Sequence, residues 1–253
     1  MVVEHLLIYT KNKKLSYFSF SSLSTAMGVI LMMTTMHLWI ILFVVGLGLV
    51  QKHFLVIGKQ HFFNPSNFAL MAGLFLFYND AHLVLGQLGD SLWLKVLVSI
   101  LALTMLVRVN RWMIVLVFTL FYLLLQYIFV VNYDPVLILE NVYHRFYSVS
   151  FILFILFMLT DPRTTPKYLW QQALFAFFIA GITVLLDRYI GFRVQHMFMA
   201  LFIMSLFVPC FNLCRQQENR KKLGKITFIL FVLVLGVIIY IQNQIPYYFE
   251  MNG

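Results

Sequence analysis

Charged residues are scarce in this chain: they make up 11% of its 253 residues, against about 25% in a typical soluble domain. Apolar residues make up 62%, and the mean hydropathy is +0.90. No connection between the apolar segments is long enough to form a large soluble domain. This composition excludes an ordinary soluble protein and predicts an integral membrane protein that crosses the bilayer several times.

Cysteine is almost absent as well. The two cysteines, Cys210 and Cys214, lie four positions apart near a helix end. A disulfide within one helical turn is geometrically unfavourable, and no further cysteine or histidine lies near them in the sequence. We therefore interpret both residues as small apolar fillers, and we expect no metal site.

The net charge is +9. In a soluble protein such an excess would suggest nucleic-acid binding. Here the basic residues lie in short loops between apolar segments, so the preference of Lys and Arg for the cytoplasmic side explains them better. The expected partner is the lipid bilayer, and no nucleic acid is expected.

The fold class predicted from hydropathy is all-α, a polytopic transmembrane helix bundle of about nine spans, because a spanning helix needs about 20 apolar residues. The predicted segments are 17–35, 38–57, 62–78, 92–107, 112–132, 146–160, 168–187, 194–213 and 226–244. Segments 62–78 and 146–160 are short, which leaves open whether they cross fully. Residues 17–244 would form one transmembrane domain, between an N-terminal segment 1–16 without a cleavable signal and a C-terminal tail 245–253.

Basic residues predict the orientation. With a cytoplasmic N-terminus and nine crossings, fourteen of the 18 basic residues lie on the cytoplasmic side. These are Lys11, Lys13, Lys14, Lys52, Lys59, Arg108, Arg111, Arg163, Lys167, Arg215, Arg220, Lys221, Lys222 and Lys225. The chain is therefore expected in the cell's inner membrane, with its C-terminus outside. Arg145, Asp187 and His196 are placed towards the outer face, and we expect neither a proton pathway nor bis-histidine haem.

The first polar cluster runs from His61 to Phe68. Asn64 suits the N-cap of a helix, and Pro65 suits its first turn. The free N–H groups of such a helix start can bind an anion or a carbonyl, with Ser66 and Asn67 beside them. The same residues would also make an ordinary capped helix start.

The second polar cluster is a turn with two prolines at the end of an apolar segment. Its polar side chains are those of Thr160, Asp161, Arg163, Thr164, Thr165 and Lys167. Irregular backbone at a membrane helix end has to be satisfied by groups within the protein. The turn could hold a phosphate or the edge of a flavin ring, or it could simply join two helices.

Together the clusters resemble the NqrB/RnfD family, the membrane subunits of sodium-pumping NADH:quinone oxidoreductase and of the related Rnf complex. Lys52-His53 with Phe62–Asn67 is similar to the family's K-H…F-N-P-S/A-x run. Residues 157–166 are similar to its F-M-x-T-D-P-x-T-x-P run, and Phe207-Val208-Pro209 to its late F-V-P element. The resemblance extends loosely over residues 17–215.

The resemblance implies a flavin-associated electron-transfer subunit, built from two inverted-topology halves with interrupted helices. The implied cofactor-binding residues are Asn64, Pro65, Ser66, Asn67, Thr160, Asp161, Arg163, Thr164 and Thr165. Other redox or membrane subunits are the implied partners. No catalytic residue is assigned.

One family motif is missing from this chain. Members of the large complexes carry an S/T-G-A-T-type motif whose last Thr holds FMN through its phosphate, whereas residues 134–145 contain neither Ser nor Thr. Covalent FMN is therefore not expected, which leaves non-covalent FMN, riboflavin or a quinone. The short chain is closer to the stand-alone, UnbU-like branch. The alternatives are a transporter or scaffold on the same fold without a cofactor, and a structural subunit of a larger complex.

Overall fold

The computed structural model describes residues 20–57, 60–84, 92–131, 142, 145 and 148–213. Nine helices lie in these ranges: α1 Phe20–Met32, α2 Leu38–Phe54, α3 Pro65–Leu76, α4 Leu92–Val109, α5 Trp112–Gln126, α6 Val149–Leu153, α7 Leu169–Ile190, α8 Gln195–Ser205 and α9 Val208–Leu213. Helices α5 and α6 continue as π-helical turns, Tyr127–Val131 and Phe154–Met158. The predicted all-α class is confirmed.

The helices differ in whether they are long enough to cross a membrane. In the described part of the chain, Trp112–Phe129 and Leu169–Ile190 are long and apolar enough to cross a membrane. Helix α3 has 12 residues and is about 18 Å long, well short of a hydrocarbon core of about 30 Å. Helix α6 and its π continuation together have only ten residues, Val149–Met158. The two segments that looked short in the sequence are thus partial helices.

Several predictions lie outside these ranges. The segment 226–244, residues 1–16 and the tail 245–253 are not among the described residues. The number of spans, the domain limits and the side on which each terminus lies stay predictions.

Four short strands form two antiparallel pairs that the sequence reading missed. They are β1 Met33–Thr35, β2 Val56–Ile57, β3 Gln60–His61 and β4 Ala81–Leu83, with β1 paired to β4 and β2 to β3. The predicted segments 17–35 and 38–57 were therefore too long, since their helices end at Met32 and Phe54. Strand pairing satisfies backbone groups that a helix end leaves unpaired.

The β1–β4 pair defines one end of the bundle, the strand end, where α1 and α3 both finish. Ser150 Oγ donates to the carbonyl of Val84 at 3.1 Å, which puts the start of α6 there too. The turn 160–167 defines the other end, the turn end, where Arg111 Nη1 donates to the carbonyl of Pro166 at 2.6 Å. These contacts agree with an alternating direction of successive helices.

Two glycines let α3 begin inside the bundle. A Cβ added to Gly48 of α2 would lie 2.6 Å from the carbonyl oxygen of Pro65, and one added to Gly28 of α1 would lie 2.7 Å from Ser66 Oγ. Small residues allow such close helix approach in membranes. Because Gly48 lies six positions before Phe54, α3 starts about 9 Å inside the end of α2.

Candidate functional site

Asn64 caps α3 as its sequence predicted. Its Oδ1 accepts hydrogen bonds from the backbone N–H groups of Ser66 at 3.0 Å and Asn67 at 3.2 Å, and Pro65 follows as the first helical residue. All four side chains are buried. A polar helix N-terminus is thereby placed within the bundle.

Asp161 organises the turn that follows α6. Its Oδ1 accepts from the backbone N–H of Arg163 at 3.0 Å. Its carbonyl accepts from the Thr165 hydroxyl at 2.8 Å and from the Thr164 backbone N–H at 3.2 Å. The Thr160 hydroxyl donates back into the helix, to Leu156, at 2.6 Å. The three threonines are buried, whereas Arg163 is exposed.

The two predicted clusters meet at one contact. Asn64 Nδ2 donates to Asp161 Oδ2 at 3.3 Å, joining residues 97 positions apart. The carboxylate thus lies near the N-terminus of α3, where the helix dipole favours a negative charge. We call this arrangement, comprising residues 64–67 and 160–165, the junction.

The side chains of Ser66 and Asn67 bind neighbouring helices. Ser66 Oγ donates to the carbonyl of Thr25 in α1 at 3.4 Å. Asn67 Nδ2 donates to the carbonyl of Phe198 in α8 at 3.2 Å. Asn67 is 1% exposed, and its Oδ1 has no hydrogen-bond partner within the described ranges. Of the predicted site residues, Asn67 therefore offers a buried acceptor that the described chain leaves unfilled.

Aromatic rings surround the start of α3. Phe63 stacks on Phe202 of α8, with ring centroids 4.8 Å apart, and meets Phe68 edge-on at 5.4 Å. Phe62 and Phe63 are both buried. The junction is thus bordered by an apolar, aromatic wall.

His61 lies in strand β3, at the turn end and outside the helices. Burial lowers the pKa of its imidazole below the ordinary value. Asp161 opposes this change, whereas Arg163, Lys52 and His53 add to it by repulsion. The folded protein therefore favours neutral His61.

A pH dependence of stability follows from His61. Because its pKa is lower in the folded chain than in the unfolded one, the unfolded chain binds more protons, and acidification favours unfolding. The thermal unfolding temperature of the wild type should fall as the pH drops through the ordinary range of histidine. The unfolding temperature of His61→Gln should fall less over the same range. Parallel curves for the two proteins from about pH 7.5 to pH 5 would contradict this expectation.

Another polar cluster, separate from the junction, lies towards the strand end. The sequence did not indicate that its members contact one another. Asp187 of α7 is fully buried. Its Oδ2 accepts from Arg145 Nη1 at 3.0 Å and from Gln126 Nε2. Its Oδ1 lies 2.7 Å from His196 Nδ1 and accepts from the backbone N–H of Arg193 at 3.3 Å. We call these residues the Asp187 cluster.

The cluster extends through Arg145. The same Nη1 donates to the Tyr122 hydroxyl at 2.8 Å, and the guanidinium lies 3.4 Å from the centre of the Phe192 ring. The sequence placed Arg145, Asp187 and His196 towards the outer face without bringing them together, and the structure shows that Arg145 and His196 both contact Asp187 inside the protein. An Asp and a Gln within long apolar helices were the signal for this site.

Residues 74–221 match the NQR2, RnfD, RnfE family. The matched part includes the turn 160–167 and the Asp187 cluster, and it begins after the α3 cap. No curated protein and no solved structure matches the chain. Placement in the stand-alone, UnbU-like branch stays a prediction. Because the match covers more than half of the chain, this integral membrane protein belongs to the NQR2, RnfD, RnfE family, whose members are membrane subunits of electron-transport complexes.

Proposed function

We propose that this subunit takes part in membrane electron transfer by holding a non-covalent flavin (FMN or riboflavin) or a quinone at the junction. The observation that carries the proposal is the contact between Asn64 and Asp161, which joins two separate motifs at interrupted helix ends inside the bundle. Irregular backbone at such a depth is tolerated where it is buried in protein or lines a cavity.

The residues present fit such a group. Asn67 Oδ1 is a buried acceptor with no partner among the described residues, so it can accept from a flavin N–H or a quinol O–H. Phe63 and Phe202 supply the apolar cover that a flat ring needs beside a few polar contacts. When bound, the cofactor supplies the redox chemistry, and the chain supplies binding and orientation.

The chain's own residues have distinct roles in this proposal. Asn64 and Asp161 hold the two helix ends together, and Thr165 stabilises the turn through the carbonyl of Asp161. Arg163 is exposed at the turn end and is available to a phosphate or to a partner subunit. The turn end faces the cytoplasm of a bacterial inner membrane, as the distribution of Lys and Arg indicates.

Cofactor analysis of purified protein tests the proposal. We expect an equimolar flavin or quinone, identified by absorption spectrum and mass after extraction under anaerobic conditions. Asn67→Ala should retain a minor fraction of it, whereas Asn79→Ala, an exposed asparagine near the opposite end, should retain it all. Wild-type protein without any such molecule would overturn the proposal.

One observation favours a second function, that of a transporter or scaffold without a cofactor. The carboxylate and carbonyl of Asp161 accept hydrogen bonds from groups within the junction, so the turn is satisfied without a ligand. A flavin that co-purifies tightly and is bleached by dithionite would exclude this alternative.

A further inference from the structure

The guanidinium of Arg145 is only partly used by its neighbours. Its Nη1 donates to Asp187 and to Tyr122, and one of its faces is covered by Phe192. Its Nε and Nη2 atoms are buried and have no hydrogen-bond partner within the described ranges. Buried donors are rarely left unpaired, so two on one side chain are available to a ligand that offers acceptor oxygens.

These two nitrogens form a receptor of defined shape. Nε–H and one Nη2–H point the same way along one edge of the planar guanidinium. Such an edge binds two oxygens of a carboxylate at once, and the geometry is specific to arginine. Arg145 is 2% exposed, so the edge is held within the protein.

Charge balance limits what can bind there. The positive charge of Arg145 and the negative charge of Asp187 cancel in the described cluster. An added anion would leave an uncompensated negative charge in a buried, low-dielectric environment, which is strongly unfavourable. A second positive charge is needed to neutralise it.

His196 can supply that charge. Its Nδ1 lies 2.7 Å from Asp187 Oδ1, so in the neutral ring Nδ1 carries the proton and donates to the carboxylate. Its Nε2 then carries a lone pair, and this atom is buried and has no hydrogen-bond partner in the described part of the chain. Proton uptake at Nε2 makes the imidazole positive and leaves the bond to Asp187 intact.

The described surroundings offer no better proton acceptor. The charged group in contact with His196 is Asp187 of α7. The titratable or charged residues joined to His196 through Asp187 are Arg145 before α6, Tyr122 of α5 and Arg193 before α8. Asp187 already accepts from four donors, so its oxygens are occupied. Helix α3, which packs on α8, has no titratable side chain.

We propose that the Nε–Nη2 edge of Arg145 binds a small carboxylate-type oxyanion, and that binding is accompanied by uptake of one proton at His196. No covalent or redox step is involved: the anion enters, a proton from water adds to Nε2, and the cluster stays neutral. The proposal does not depend on a flavin or quinone. It does connect to the junction through the first turn of α8, which holds both His196 and the carbonyl that Asn67 contacts.

Isothermal titration of purified full-length protein with acetate, formate and nitrate as probes tests both parts. We expect binding of at least one probe, with an affinity that weakens as the pH rises, by at most about tenfold per pH unit, since one proton is coupled. Titrations in buffers of different ionisation enthalpy should show the proton uptake. Arg145→Lys should weaken binding at least about tenfold, because a lysine keeps the charge and loses the paired donors.

Arg188→Lys is the matched control, because Arg188 is adjacent to Asp187 in sequence but exposed. It should bind the probes like the wild type. His196→Gln should bind more weakly and with no pH dependence, which keeps the test decisive if Arg145→Lys does not fold. The proposed anion site at Arg145 would be contradicted if none of the three probes binds, or if folded Arg145→Lys binds them as tightly as the wild type. Binding by the wild type that does not change with pH would overturn the coupling to His196.

Discussion

Replacing Asp187 with alanine is expected to lower the free energy of unfolding by about 3–5 kcal/mol. The guanidinium of Arg145 would then be buried without its counter-ion. The donors of Gln126 and His196 would lose their acceptor as well. Thermal unfolding of purified protein in detergent, monitored by circular dichroism, measures this change.

Two further variants make the Asp187 result specific. Arg188→Lys keeps the charge of an exposed neighbour and should change the free energy of unfolding by no more than about 0.5 kcal/mol. The double variant Asp187→Leu with Arg145→Met removes both charges and should recover the part of the loss that comes from the unpaired guanidinium, but not the part that comes from the donors of Gln126 and His196. Wild-type stability for Asp187→Ala alone would show that the ion pair is unimportant.

Gly48→Ala is expected to destabilise the protein by about 1–3 kcal/mol and to disturb the junction. The added Cβ would lie 2.6 Å from the carbonyl oxygen of Pro65 and 3.0 Å from the Cβ of Ala69. A backbone oxygen cannot rotate away as a flexible side chain can, so the start of α3 has to shift. Unfolding measurements and, if a cofactor is present, its retention should both report the shift.

Gly46→Ala is the matched control for Gly48→Ala. It lies on the same helix, and a Cβ there would meet nothing within 4 Å. Alanine in a helix is more favourable than glycine by about 0.5–1 kcal/mol, so this variant should be at least as stable as the wild type. Equal losses for the two variants would mean that helix contact at Gly48 is not the cause.

The first turn of α8 contacts both polar sites. His196 contacts Asp187, and two positions later Phe198 offers its carbonyl to Asn67. A change in the charge of His196 would then act on α8 close to the junction. The Asp187 cluster and the junction are thus joined by one helical turn.

Local features of the site could be read from the chain. Asn64 followed by Pro65 predicted the cap and start of α3, because a cap involves only groups two or three residues apart. The threonines and Asp161 likewise predicted a turn that is satisfied by its own side chains. The lengths of the apolar segments also indicated that α3 and α6 are short.

Contacts between distant segments could not be read in the same way. Asp187 binds Gln126, 61 positions away, and Arg145, 42 positions away. Hydropathy alone placed these residues near membrane boundaries and gave no information on which helix faces which. The strand pair β1–β4 was missed for the same reason, since its members are joined through α2 and α3.

The sequence by itself determined the membrane class, the helical fold and the two polar motifs, because hydropathy and capping depend on neighbouring residues. The tertiary structure alone decided that Asn64 meets Asp161 and that Arg145, Asp187 and His196 share one buried cluster. Those contacts depend on how helices pack, at Gly48 above all, where a missing side chain lets α3 begin inside the bundle. The few charged residues of the chain thus form a buried site only because helix packing brings them together.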